Sequence, residues 1–297
     1  MHKKGKDLER VIRTIEQIPT LPIISQITME IAEDESAPME ALAEVVENDQ
    51  ALASKILKIV NSASYGLVGK VSSIGPALVI LGTKEVKSIV LGVSVYKFFS
   101  SHGTDVLDPK QFWRHSIICG QAAKLLGTRF DRSKDDTLFV AGLVHDIGKI
   151  VLEQYFHEEF IQIIDCVSSN NATFGKTEKN ILGTTHYQIG AKLLQQWNFP
   201  KKIIMEVLYH HAPWSDQNYS TSSIMIYLAN IFSKLAGYPF HSLEKKMEPH
   251  EFAKSPELEF AVKSGVDLDY ESIVNLTSHI EEIACKEVGE LMKVLED

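Results

Sequence analysis

The five residues His145-Asp146-Ile147-Gly148-Lys149 decide how the rest of this 297-residue chain is read. A histidine beside an aspartate is common by itself. Here the pair follows Leu138 and Ala141 on one apolar face of a helix expected over about 134–145, so it points toward a core. Adjacent placement has a chemical use. The carboxylate can bridge two metal ions while the imidazole binds one of them.

Working outward, four more histidines fall on inward faces. Asp108-Pro109-Lys110-Gln111 is a helix start, with a cap, a proline at the first helical position and a glutamine three residues after the cap. In that helix, expected to end near Gly127, His115 has Phe112, Cys119 and Ala122 at i−3, i+4 and i+7. His186 shares a face with Ile189, Leu193 and Trp197. His210 and His211 end a helix whose inner face carries Ile203 and Val207, and Pro213 stops it. One inward histidine is usually a satisfied core residue. Burying five with a carboxylate and no partners would cost several kcal/mol, roughly, and a metal cluster removes that cost. Neutral imidazoles and a carboxylate suit Fe, Mn, Zn or Ni, with Fe or Mn expected first.

The order His115, His145-Asp146, His186, His210-His211 resembles the HD metal-dependent phosphohydrolases. Gly148-Lys149 and Thr185-His186-Tyr187-Gln188-Ile189-Gly190-Ala191 resemble their HD-GYP branch, which hydrolyses cyclic dinucleotides. The N-terminal half resembles a different relative more closely. Ile18-Pro19-Thr20-Leu21-Pro22, Asp49 through Leu52, Lys55-Ile56-Leu57-Lys58, Val60-Asn61-Ser62-Ala63-Ser64-Tyr65-Gly66, and Ala77 with Leu81-Gly82 look like the HDOD domain, the HD-related output domain of bacterial signalling proteins. This resemblance runs from about Ile15 to about Trp214. It implies an all-α fold, a two-lobed HD-like bundle of many helices, and a regulatory role that often lacks catalysis.

Two departures bear on activity. Active HD enzymes carry a further aspartate on a later helix, as a ligand of the first ion. Asn230 holds that place in Tyr227-Leu228-Ala229-Asn230-Ile231-Phe232, and its amide oxygen can ligate without bringing charge. HD-GYP enzymes also follow the double histidine with an acidic residue and a Gly-Tyr-Pro loop. Here Ala212-Pro213-Trp214 follows, and the distant Gly237-Tyr238-Pro239 is read as coincidence. If catalysis survives, Asp146 serves the metals that activate water, and Lys149 is the candidate phosphate contact. A solvated loop lysine is the plain alternative for Lys149. Glu178 matches an acidic position common in these families, with a helix N-terminal carboxylate as its plain alternative. The leading expectation is an HDOD signalling module that keeps a metal site with weak or no catalysis. The second is a metal-dependent phosphohydrolase or phosphodiesterase.

Composition narrows the partners. A net charge of −9 argues against nucleic acid, yet a phosphate-containing ligand stays compatible because a metal supplies positive charge locally. Cys119, Cys166 and Cys285 form no CxxC pair and are read as free thiols in a reducing compartment. Met1-His2-Lys3-Lys4-Gly5-Lys6 leads into Asp7, Glu9 and Arg10 with no apolar run, and Ser88 to Phe99 is too short to span a bilayer. A cytoplasmic protein with a signalling partner and no membrane contact is expected. The expected layout is a tail over 1–14, an N-terminal lobe over 15–100, an HD-like lobe with the metal site over 101–240, and a helical extension over 241–297. The polar stretch Ser100-Ser101-His102-Gly103-Thr104-Asp105 marks the boundary between lobes. In the extension, Ile273, Leu276, Ile280, Ile283, Val288, Leu291 and Leu295 mark a long amphipathic helix. It either packs on its own chain or forms a homodimer.

Overall fold

The structure, a computed structural model, describes residues 2–22, 25–27, 31, 38–61, 69–100, 106–130, 137–170, 172–217, 220–244, 247–289 and 292–293. The motif residues Ser62 to Gly66, the boundary residues 101–105, and Leu291 and Leu295 lie outside them. The described residues are helical, with no strand among them. The chain divides into two compact units, one made of Met1–Pro19 with His102–Glu281 and the other of Thr20–Ser101 with Glu282–Asp297. No helix of the described residues is long and apolar enough to cross a membrane.

The second unit contains α2 (Met39–Glu47), α3 (Gln50–Val60) and α4 (Ile74–Ser100). Asp49 caps α3, accepting from the backbone N–H groups of Ala51 and Leu52 at 3.0 Å each. Leu42 and Val46 on α2, and Leu52, Ile56 and Val60 on α3, form the apolar faces and are buried. Helix α4 is broken at Gly82 (φ 78, ψ 158), where a side chain would be strained.

The first unit starts with α1 (His2–Gln17), so the expected tail over 1–14 is a helix instead. Val11, Ile15 and Ile18 recur at helical spacing and are buried. The Trp197 indole N–H donates to the Pro19 carbonyl at 2.9 Å, and Arg10 pairs with Glu159 while stacking over Phe156. Next come α5 (Pro109–Arg129), α6 (Leu138–Val144), α7 (Ile147–Tyr155), α8 (His157–Asn170), α9 (Phe174–Ile181), α10 (His186–Gln196) and α11 (Lys201–Tyr209). After a 3-10 turn at Pro213–Ser215 follow α12 (Ser220–Leu235), α13 (Pro249–Phe252), α14 (Pro256–Lys263) and α15 (Tyr270–Ile283). Helices α7 and α9 have no counterpart in the sequence reading. Asp108 caps α5 as its sequence indicates, accepting from the Lys110 N–H at 2.9 Å. Ile273, Leu276 and Ile280 are buried within the chain itself. The expected long C-terminal helix is interrupted after Ile283 by a π turn over Ala284–Val288.

Helix α5 packs on α6 and α12, while α10 packs on α7 and α11. His145 and Asp146 sit in the break between α6 and α7, and Gly148 is the second residue of α7. A Cβ on Gly148 would overlap the His186 carbonyl oxygen and come within 2.9 Å of the Gly190 backbone nitrogen. The glycine is required because α7 and α10 meet backbone to backbone. Gly148→Ala should therefore lower the unfolding free energy by about 3 kcal/mol or more, read as a lower urea midpoint. A midpoint equal to the parent's would contradict this helix contact.

Candidate metal centre

Four helix ends and the middle of α5 converge on one carboxylate. His115, His145, Asp146, His186 and His210 have no measurable exposure, and His211 is half-buried. Asp146 divides its oxygens between two groups of imidazoles. Its Oδ2 lies 3.3 Å from His145 Nε2 and 3.9 Å from His115 Nε2. Its Oδ1 lies 3.3 Å from His186 Nε2 and 3.5 Å from His210 Nε2. The ligand atoms of Asp146, His186, His210 and His211 lie within 4.8 Å of one another, as do those of His115, His145 and Asp146. Asp146 thus belongs to both groups, each of which is spaced to hold a metal ion.

The far nitrogens of the rings are also held. The Nδ1 atoms of His115, His145 and His210 lie 2.7, 2.7 and 2.6 Å from the carbonyl oxygens of Tyr238, Gly142 and Val207. A carbonyl only accepts, so a neutral ring there carries its proton on Nδ1 and turns a lone pair on Nε2 inward. His186 is fixed by Glu178, whose oxygens lie 2.8 and 2.9 Å from Nδ1 and accept from the His186 backbone N–H at 3.0 Å. The centre therefore collects acceptors facing acceptors. The Nε2 atoms of His115, His145 and His210, Asp146 Oδ1 and Asn230 Oδ1 are buried without a hydrogen-bond partner. A cation between Asp146 and these rings would satisfy their nitrogens and its oxygen together, which is the donor set a divalent transition metal prefers.

Protons alone do this poorly. Burial pushes His115 and His210 down to about 3, and the nearby charge of His145 adds to the effect. Burial and the charges of His210 and His186 likewise hold His211 well below its usual value. Burial opposes charge on His145 too, but Asp146 and Cys119 outweigh it and lift that ring to about 10. Asp146 stays well below the usual carboxylate range because His145 and Lys149 outweigh its burial. Burial opposes charge on His186 as well, but Glu178 outweighs it and raises that ring. Charge can thus rest on His145 and His186 beside their carboxylates, while His115, His210 and His211 are kept neutral.

The structure places Lys149 at the centre and overturns the solvated-loop alternative. The side chain is 2% exposed, and its Nζ donates to Asp146 Oδ2 at 2.6 Å. The ring of Phe240 covers the ammonium, 3.5 Å from its centroid. Phe240 belongs to the segment after α12 that sequence reasoning dismissed. Tyr238 of the Gly237-Tyr238-Pro239 triplet supplies the carbonyl that holds His115, and Glu244 pairs with Lys234 at 2.6 Å. A triplet that begins two residues after α12 ends at Leu235 was the available signal, but a backbone carbonyl leaves no mark in residue type. Asn230 is 4% exposed, and its helix packs on α5, which carries His115. A cavity of about 160 Å³ is lined by His211 and Asn230, with Lys234, Met247, Phe252 and Glu257 around them.

Acid should unfold the metal-free protein early. Unfolded histidines bind protons near 6.5, whereas His115 and His210 do so in the fold only near 3. The unfolded chain then holds more protons between these values, so stability falls as pH drops from about 6.5 toward 3. His145 has the opposite sign, its contribution being complete below 6.5 and lost as pH rises through about 10. The urea midpoint of chelator-treated protein should drop between about pH 7 and 5, and His210→Leu should flatten that drop. A flat parent profile would contradict a buried neutral cluster.

Comparison with known proteins identifies the fold and the family. The HDOD domain model matches residues 18–213. An HDOD domain protein of unknown function from Geobacter sulfurreducens has the same fold, with a TM-score of 0.82 at 24% identity over 98% of both chains. A candidate phosphohydrolase from Shewanella amazonensis SB2B gives 0.76 at 20% identity, over 96% of this chain and 97% of that one. An uncharacterised protein of Treponema pallidum (strain Nichols) is 25% identical over 219 residues, 73% of this chain. The matched part spans 42% of that protein's length. With its family model matched over 18–213 and its helices in the same arrangement, the chain belongs to the HDOD domain family.

Proposed function

We propose that this chain is an HDOD signalling module that holds a divalent transition metal, Fe or Mn before Zn or Ni, as a fixed part of its fold. The observation that carries this reading is the set of buried acceptors turned on one another around Asp146. Asp146, His186, His210 and His211 form the more complete half. His115, His145 and Asn230 form the other, in which an amide stands where active relatives carry a carboxylate. The ligands come from α5, from the α6–α7 break, and from the ends of α10 and α11, so a bound ion ties these helices into one frame. Such a frame suits a domain that presents a surface to a signalling partner, with the ion setting its stability.

Elemental analysis of purified protein tests the reading. The parent should retain metal, and His186→Ala should lower its content sharply. Glu178 touches no ion directly, so Glu178→Gln should weaken affinity by about 10–100-fold through loss of ring orientation. Metal-free parent protein of normal stability would refute the proposal.

A second reading, a phosphohydrolase, is favoured by the cavity at His211 and Asn230. A metal bound there would supply an activated water and hold phosphate oxygens. Asp146 would anchor it, and Lys149 would have to leave Phe240 to reach a phosphate. Phosphodiester hydrolysis by Fe- or Mn-loaded protein, abolished in His186→Ala, would establish this reading. Loaded protein without hydrolysis would leave the signalling module.

A further inference from the structure

Lys149 is the one buried charge at the centre that metal binding does not need, and it lies on a single side of it. Its Nζ is 2.6 Å from Asp146 Oδ2, closer than His145 Nε2 at 3.3 Å and His115 Nε2 at 3.9 Å. No exit to water is evident, since the side chain is 2% exposed and Phe240, itself fully buried, lies 3.5 Å above the ammonium. Phe174 faces the same ammonium at 5.2 Å and meets the Phe240 ring at 5.1 Å. The Nζ thus has a carboxylate oxygen on one side and two aromatic rings on the other.

The two halves are therefore unequal in charge. The half at Oδ1 has three imidazoles, His186, His210 and His211, and behind His186 the carboxylate of Glu178 at 2.8 Å. The half at Oδ2 has two imidazoles, His115 and His145, and the Lys149 Nζ already lies against its oxygen. A divalent ion placed there would sit a few ångströms from the ammonium in a site with little water to screen them, and would compete with it for one oxygen.

We propose that Lys149 is the resident cation of the His115 and His145 half, and that the protein therefore binds a single divalent ion, at the His186, His210 and His211 half. Asp146 bridges in the chemical sense expected of it, but between a metal ion on Oδ1 and an ammonium on Oδ2. The inference rests on the metal reading above and adds the number of ions and the group that limits it.

Manganese titration of metal-stripped full-length protein decides the matter. The parent should take up about one Mn²⁺ per chain and give the spin-resonance spectrum of an isolated ion. Lys149→Met and Lys149→Gln should rise to about two, with the broadened spectrum of a coupled pair. Lys149→Arg, which keeps the cation, should stay at one. Adding Asn230→Asp to Lys149→Met should tighten the second ion. Two coupled ions in the parent would overturn this inference while leaving the metal reading intact, and so would a stoichiometry of one in correctly folded Lys149→Met and Lys149→Gln. No uptake by the parent would overturn both. The parent titration needs no variant to fold.

Discussion

The carboxylate of Asp146 is the constraint on which the first unit depends. It is fully buried and kept ionised, so its surroundings must supply positive charge or donors at both oxygens. No single helix can do this. The structure ends α6 and starts α7 around it, which lets neighbouring residues His145 and Asp146 both turn inward. Gly148 then brings α7 against the α10 backbone, which delivers His186 to Oδ1. The packing of α10 on α11 brings His210 to the same oxygen. Local breaks in helix geometry and the position of a glycine thus follow from where one charge must be met.

Much of the centre was legible because its ligands are side chains on apolar helix faces. His115, His186 and His210 each sit among residues whose spacing turns them inward, and the structure brings them within reach of Asp146. What was missed works through other means. Tyr238 contributes a carbonyl, and Phe240 contributes a ring whose place over Lys149 is set by a turn that periodicity does not reveal. The sequence left Lys149 open between a phosphate contact and a solvated lysine, and its burial was not legible there. Its burial depends on Asp146, three residues earlier in sequence, and on Phe240, ninety-one residues later.

The fold was legible to a similar degree. Capped helices such as α3 and α5 carry their start in the sequence, at Asp49 and Asp108. Helix α1 was misread because its first residues are basic, although Val11, Ile15 and Ile18 mark an inward face. Helix α9, Phe174–Ile181, reads as FGKTEKNI, short and polar, with little to announce it. It is needed all the same, since it carries Glu178 to the ring of His186. Short polar helices that serve a site are hard to read because tertiary contacts, rather than propensity, hold them.

The docking of the N-terminal segment has a consequence for the order in which the protein assembles. Gln196 and Trp197 donate to the carbonyls of Ile18 and Pro19 across 178 residues of chain. Between them lies the whole stretch Thr20–Ser101 of the second unit. During synthesis α1 is made before its partners on α10, which emerge only after that stretch and the His115 helix α5. Its apolar face must wait, exposed, while the intervening stretch is made. Closure of such distant contacts is slow in entropic terms, so the docking of α1 on α10 should be a late step of folding.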